Sequence, residues 1–390
     1  MKAVWSSRFL TAAGIVPHNR SSANRTDPSA GLFVEKRPMK IVALDLGKFK
    51  TVACIYVEGK AEFITLNTCR QEFSELFKQH EADVVVFETC TAAGWLSDLC
   101  EELDQPFFVA NPNGEAWKWS TVKRKTDKDD ALKLAKLTVM NQLPTVHVPS
   151  RTTRAKRSLL KFRKSIVTAR VKLQNEIRAL WQAQGLAPLP AGKCGWTQEC
   201  LATLSEQSKP LADCGPEDFW RGQLSLHLAS FTHIAAQEKT IDRKLDALAK
   251  TDESVKRLMT IPGVGRCTAE IICAYMDDPK RFNNGRQVSS YAGLVPQQYQ
   301  SGQQDRRGRI TKRGARILRL AIVECGWLLV RYNGWAQQLM QRLTSGQKTR
   351  RKQAIVALGR RLLVRCWAML RDGTDWSWTP DSPHPLTTPA

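Results

Sequence analysis

Two apolar runs that each end in an acid constrain this chain more than any other feature. MKIVALDLGKFK (39 to 50) closes on Asp45 and Gly47, and DVVVFETC (83 to 90) carries Glu88 near its end. A short, continuous Val/Ile/Leu run is the pattern of a strand buried on both faces. TVACIYV (51 to 57) follows the first run as its hairpin partner, 70 to 80 reads as a short helix, and PFFVAN (106 to 111) as a third buried strand. Strands mixed with helices, with acids at strand ends, predict an RNase H-like (RuvC-like) α/β domain.

A helix bearing two more acids completes that expectation. In KTDKDDALKLAKL, Thr126 caps a helix and Asp129 stands three residues on, the capping-box spacing. Asp127 and Asp130 share a helical face with Ala131 and Leu134, so they point toward the sheet, whereas Asp129 faces solvent. Asp45, Glu88, Asp127 and Asp130 are thus expected to converge within a few ångströms, since like charges gather where a cation offsets their repulsion. Magnesium or manganese is the expected cation.

The charge of the whole chain makes those acids conspicuous. Lys and Arg number 59 against 37 Asp and Glu, a formal net charge of +22. Such a balance suits DNA or RNA as a partner, although a basic ribosomal or membrane-surface protein would share it. No apolar run reaches the length that spans a bilayer, and residues 1 to 38 have no secretory-signal pattern, so a bacterial cytosol, beside the nucleoid, is the expected setting. The eleven cysteines include no CxxC pair, and neither zinc nor a disulfide framework is expected.

The remaining chain divides by pattern. Residues 1 to 38 read as a disordered extension, 39 to 150 as the α/β domain, and 151 to 255 as a helical coiled-coil arm with an insertion at 185 to 222. Leu159, Phe162, Ile166, Ala169, Leu173, Ile177 and Leu180 supply the arm's apolar seam, and Ile234, Ile241, Leu245 and Leu248 its antiparallel return. Arg154, Arg157, Lys161 and Lys164 share one side of the first helix, which predicts a phosphate-tracking surface. A mostly α domain at 256 to 345 and a basic tail at 346 to 390 complete the division.

Within the C-terminal domain, IPGVGRCTAE (261 to 270) has the form of a helix-hairpin-helix turn, and a plain glycine-rich turn before a helix is an equally good reading. Ser301 sits in a polar, Gly-flanked loop followed by Arg306, Arg307, Arg309, Lys312, Arg313, Arg316 and Arg319, an arrangement that can put a hydroxyl beside a phosphate among cations.

These segments, LDLGKFK, VVVFETC, KTDKDDALKLAKL, IPGVG and SSYAGLVPQQYQSGQQDRRGRITKRGARILR, occur in an order that resembles the IS-one-ten family of insertion-sequence transposases over roughly residues 39 to 330. The resemblance implies a DNA recombinase in which Asp45, Glu88, Asp127 and Asp130 form a DEDD metal quartet and Ser301 is the nucleophile. It also implies a structured noncoding guide (bridge) RNA, donor and target DNA, and a homodimer or homotetramer in which one subunit's acids work with another's serine. Two competing readings stand beside it. A Holliday-junction-type nuclease would use the acids and water with no covalent intermediate, and a non-enzymatic scaffold would bind nucleic acid without magnesium.

Overall fold

A computed structural model describes residues 38 to 112, 114, 126 to 301 and 304 to 379. The chain divides between Arg154 and Ala155 into two compact units. The expected extension at 1 to 38 lies almost wholly outside the described residues.

The first unit is built on a five-stranded sheet in the order β3-β2-β1-β4-β5. β1 (Ile41–Leu46), β2 (Lys50–Val57) and β3 (Lys60–Asn67) form an antiparallel meander. α1 (Arg70–His80) then leads to β4 (Val84–Glu88), and α2 (Ala93–Glu102) to β5 (Phe107–Ala110), each new strand pairing in parallel with its predecessor in the sheet. This order, antiparallel on one side of β1 and parallel on the other, is that of an RNase H-like domain. β3 is the strand not anticipated from sequence, because it lies at the sheet edge and buries only Leu66 among its mostly exposed residues.

Side-chain alternation divides β1 and β4 between two cores. Val42, Leu44, Val85 and Phe87 face the layer of α1 and α2, beside Phe73, Leu76, Leu96 and Leu99. Ile41, Ala43, Val84 and Val86 face the opposite layer, where Ala131, Leu134 and Ala135 of α3 (Asp127–Val139) cover them. The two faces explain why both strands read as unbroken apolar runs.

In the second unit, α4 (Arg151–Ala183) is followed by α5 (Gln198–Glu206) and α6 (Phe219–Ala249). Leu160 and Ile166 share a cluster with Ile241 and Leu245, while Ile177 and Trp181 share another with Leu224, Leu228 and Phe231, an antiparallel correspondence. The buried seam of α4 is rotated from the expected one. Leu160, Ile166, Gln174, Ile177 and Trp181 are buried, whereas Phe162 is 50% exposed. The broad aromatic Trp181 and the kinship of Leu160 with the downstream helices fix the rotation, which helical spacing alone left between two neighbouring stripes.

The expected basic tail is a correction. α7 (Glu253–Met259), α8 (Arg266–Met276), α9 (Gly285–Tyr291), the hairpin β6 (Pro296–Ser301) and β7 (Gln304–Ile310), α10 (Arg316–Tyr332) and α11 (Gly334–Thr344) are joined by α12 (Arg351–Asp372). Ile355, Leu358, Leu362, Leu363, Cys366 and Trp367 of α12 are buried in the same core as Leu258, Ile272, Val288, Ile322 and Leu339. The five arginines and one lysine of α12 lie on the helix's other faces and mask, in the sequence, a stripe at three- and four-residue spacing.

Candidate active site

Asp45 and Glu88 come together through strand register. Leu44 pairs with Phe87 between the parallel β1 and β4, so the next residue of each strand, Asp45 and Glu88, stands on adjacent strands about 5 Å apart at the backbone. Both follow the parity of Ala43 and Val86, and so face the α3 layer. Each is half-buried at the rim of that core.

α3 presents its acids to the same layer. Thr126 Oγ1 accepts from the Asp129 amide at 3.2 Å, and Asp129 Oδ2 accepts from the Thr126 amide at 3.2 Å, a reciprocal capping box. The cap sets where the helix starts, and hence its phase. Ala131 and Leu134 are fully buried against the sheet, and Asp127 and Asp130 precede them by three or four residues on that stripe. Asp130 is half-buried, Asp127 is exposed, and Asp129 is committed to the cap.

The four acids therefore share one face of the sheet at the C-terminal ends of β1 and β4. Among the described residues, however, no group of three or more His, Cys, Asp or Glu side chains is arranged to hold a metal ion. The tight convergence expected from the sequence is not seen in these side-chain positions. The donor set is nonetheless the one that hard divalent cations take, oxygen only and multiply anionic.

In the second unit, Ser301 is the last residue of β6 and pairs with Gln304 of β7. The loop expected from sequence is thus the end of a two-stranded ribbon. Tyr299 pairs with Arg306 and Gln298 with Arg307, so Tyr299, Ser301, Gln304 and Arg306 lie on one face and Arg307 on the other. Arg307 Nε is 3.9 Å from Asp305 Oδ2. Of the two adjacent arginines, Arg306 is the one on the serine's face. Arg309 lies within the register shift, and Arg306, Arg307 and Arg309 are all exposed.

Two glycines lock the foot of this ribbon. Gly293 (φ 66°) and Gly314 (φ 91°) occupy left-handed backbone, and a Cβ on either would lie 2.0 Å from a carbonyl, that of Arg313 or Tyr291 respectively. Neither position tolerates a side chain. The Lys312 amide donates to Gly293 O at 3.1 Å and the Thr311 amide to Val295 O at 2.8 Å. Arg319 Nη1 donates to Ala292 O at 3.0 Å, which engages one of the seven cations with backbone rather than leaving it to a ligand. Lys312, Arg313 and Arg316 follow, with Lys312 in left-handed backbone (φ 54°) and Arg316 opening α10. YAGLVP and ITKRG are interlocked pieces of one support. Ser289 is buried and donates to Gly285 O, a packing residue of α9.

The basic surface of α4 is largely turned inward. Arg154 pairs with Asp98, Lys156 Nζ with Asp252 at 2.7 Å, and Arg170 Nε with Glu238 at 2.6 Å. Arg157 Nε donates to Ala274 O at 2.8 Å while its guanidinium lies 4.7 Å from the Tyr275 ring centre. Lys164 Nζ is 3.6 Å from Glu324, an exposed pair. Lys161 is exposed. The partner carboxylates lie outside α4, so the sequence of α4 by itself gives no sign of them.

The IPGVG turn joins α7 to α8, and its neighbouring cation is fully engaged. Arg266 reaches Asp242 and Asp246, each at 2.7 Å, and Glu270 at 3.0 Å. Gly263 (φ 95°) packs against Leu329. Three carboxylates beside the start of α8 repel a phosphate, which favours the plain-turn reading of this segment.

Two family models match the chain. One, a DEDD transposase model described as Transposase, covers residues 42–183, and one described as Transposase IS116/IS110/IS902 family covers 255–341. The transposase for insertion sequence element IS1328 of Yersinia enterocolitica is 25% identical over 343 residues, covering 86% of this chain and 98% of that one. The transposase for insertion sequence element IS1111A of Coxiella burnetii is 25% identical over 351 residues, covering 86% and 90%. Among solved structures, T. thermophilus RuvC in complex with Holliday junction substrate is 12% identical, with a TM-score of 0.22 over 28% of this chain and 99% of that one. Both relatives are transposases of insertion sequence elements. The chain belongs to the IS110 family of insertion-sequence transposases.

Proposed function

We propose that this transposase exchanges DNA strands through a phosphoserine intermediate on Ser301, with Asp45, Glu88, Asp127 and Asp130 as the divalent-metal site and a structured noncoding RNA as the guide to donor and target DNA. The observation that carries the reading is the placement of Asp45 and Glu88 on adjacent parallel strands, facing the helix that bears Asp127 and Asp130. Bound there, magnesium or manganese would supply Lewis acidity and charge neutralisation at a scissile phosphate.

Ser301 Oγ attacks phosphorus, an Oγ–P bond forms as the P–O bond to the deoxyribose oxygen breaks, and the hydroxyl proton leaves with that oxygen. The phosphodiester count is unchanged, so rejoining by a second strand's hydroxyl needs no nucleotide triphosphate. Arg306, on the serine's face of the ribbon, donates to the non-bridging phosphate oxygens, and the exposed Arg307, Arg309, Lys312, Arg313 and Arg316 hold the flanking backbone. Ser301 stands in the second unit and the acids in the first, an arrangement compatible with a homodimer or homotetramer whose subunits share the two halves of the chemistry. Sequence choice rests on base pairing with the guide RNA.

The test is the fate of the cut end. Wild-type protein incubated with a nicked suicide substrate should carry covalently bound DNA, and Ser301→Ala protein should not. Cutting and rejoining by Ser301→Ala would replace this reading with the water-using nuclease.

A further inference from the structure

Phe49 is an anomaly in the first unit. Its side chain is 75% exposed, in the turn Gly47-Lys48-Phe49-Lys50 that joins β1 to β2, four residues beyond Asp45. Leaving such a ring in water forgoes the stabilisation that burial would give it.

The turn that offers it is rigid. Thr68 donates from its amide to Phe49 O at 2.8 Å and from its hydroxyl to Gly47 O at 3.0 Å, and Thr51 Oγ1 and Thr68 Oγ1 are 2.9 Å apart. A Cβ on Gly47 would stand 2.2 Å from Lys50 O, so the chain turns as tightly as glycine allows. Lys48 Nζ lies 5.0 Å from the ring centre, over one face. An aromatic held in place loses little freedom when a ligand meets its other face. An exposed ring with exposed lysines immediately before and after it in the chain matches a polyanion that carries flat apolar groups, which describes a nucleic-acid strand and not an apolar protein segment.

We propose that Phe49 is a stacking platform for an unpaired base of the nucleic-acid strand engaged at the acidic strand ends, with Lys48 and Lys50 on its neighbouring phosphates. The inference rests on the quartet reading for where that strand runs. A base in a closed duplex has no free face, so the platform selects flayed, gapped or single-stranded segments, as strand exchange requires.

The test uses full-length protein without divalent metal, so that nothing is cut, and two probes, a single-stranded oligonucleotide and a duplex with one unpaired base, each carrying 2-aminopurine at the unpaired position. Wild-type protein should quench the probe, Phe49→Trp should retain the quenching, and Phe49→Ala should lose it with about a tenfold rise in Kd for these probes. Affinity for fully paired duplex should change less than twofold. Unchanged quenching and affinity in Phe49→Ala would overturn the proposal. A Phe49→Ala melting temperature several degrees below wild type would also overturn it, because the ring would then be covered by the protein's own chain. Asp45→Asn should quench like wild type in this metal-free assay, and in a separate assay with magnesium it should fail to cut where wild type and Phe49→Trp cut. Cutting by Asp45→Asn would defeat the quartet reading, and loss of stacking would appear only in the fluorescence.

Discussion

Arg163 grips Asp242 with two hydrogen bonds, Nε to Oδ1 at 2.6 Å and Nη2 to Oδ2 at 3.1 Å, and so ties α4 to α6 across 79 residues of chain. The same guanidinium reaches Glu238 at 4.0 Å. A helix that looks like a phosphate track from its own sequence is thereby a helix whose cations hold the unit together. Arg163→Ala should cost about 2 kcal/mol of stability, read by chemical denaturation of the full chain. Lys161, exposed on the same helix, should behave differently. Lys161→Gln should leave the denaturation midpoint in place and lower the log-log salt slope of nucleic-acid binding by about one.

Neighbouring aspartates of α3 should separate by role. Asp127→Ala and Asp130→Ala should abolish strand cleavage with the fold intact, as should Asp45→Ala and Glu88→Ala, and chelation by EDTA should do the same to wild type. Asp129→Ala removes half of the capping box and should cost about 1 kcal/mol of stability while leaving residual cleavage. Cleavage assays beside thermal melts separate the two groups. Full activity in Asp130→Ala would remove it from the quartet.

Ser289 and Ser301 give a second contrast. Ser289 is buried with its hydroxyl on Gly285 O, and Ser301 is exposed at the ribbon's end. Ser289→Ala should form the covalent DNA adduct, detected as a shift on a denaturing gel, and Ser301→Ala should still bind DNA yet form none. A shared support predicts that Gly293→Ala or Gly314→Ala, which displace the ribbon's foot, lower adduct formation with Ser301 in place.

Stability should respond to acid in two opposed steps. Arg163's hydrogen bond, with Arg266's behind it, holds the Asp242 carboxyl below its ordinary value, so its contribution is present above the unfolded carboxylate range and lost as pH falls through the folded value. Burial pushes Glu270 up, with Arg266 opposing, and its Oε1 has no hydrogen-bond partner among the described residues. Its contribution is therefore full below the unfolded value and lost as pH rises through the folded one. Melting temperature should climb slightly as pH drops from neutral and then fall. Glu270→Gln should flatten the first limb and Asp242→Asn the second.

What was legible in the sequence followed from local pattern. Asp45 and Glu88 sit at the ends of apolar runs because both strands are covered on both faces, and the box of Thr126 and Asp129 sets the phase of α3. What was not legible depends on long-range partners. Asp242, Glu238 and Asp252 neutralise α4 from another helix and its following turn, and the ribbon carrying Ser301 is polar throughout, so its alternation leaves no hydrophobic signal. Phe49 carries no signal of its own in the sequence, where one aromatic between lysines looks like the end of a strand. Only its exposure in a pinned turn singles it out.

The burial of α12 imposes a schedule on synthesis. Leu358, Leu362 and Leu363 fill the core that Leu160, Leu258 and Ile322 also line, so the serine-bearing unit is unfinished until α12 has been made. The acidic sheet, complete by Val139, can form far earlier on the ribosome. A nascent transposase therefore holds its acids ready while its serine lacks a fixed place, and a chain cut short before residue 351 should bind DNA weakly and exchange no strands. A frameshift late in the gene is thus as disabling as one in the motifs themselves.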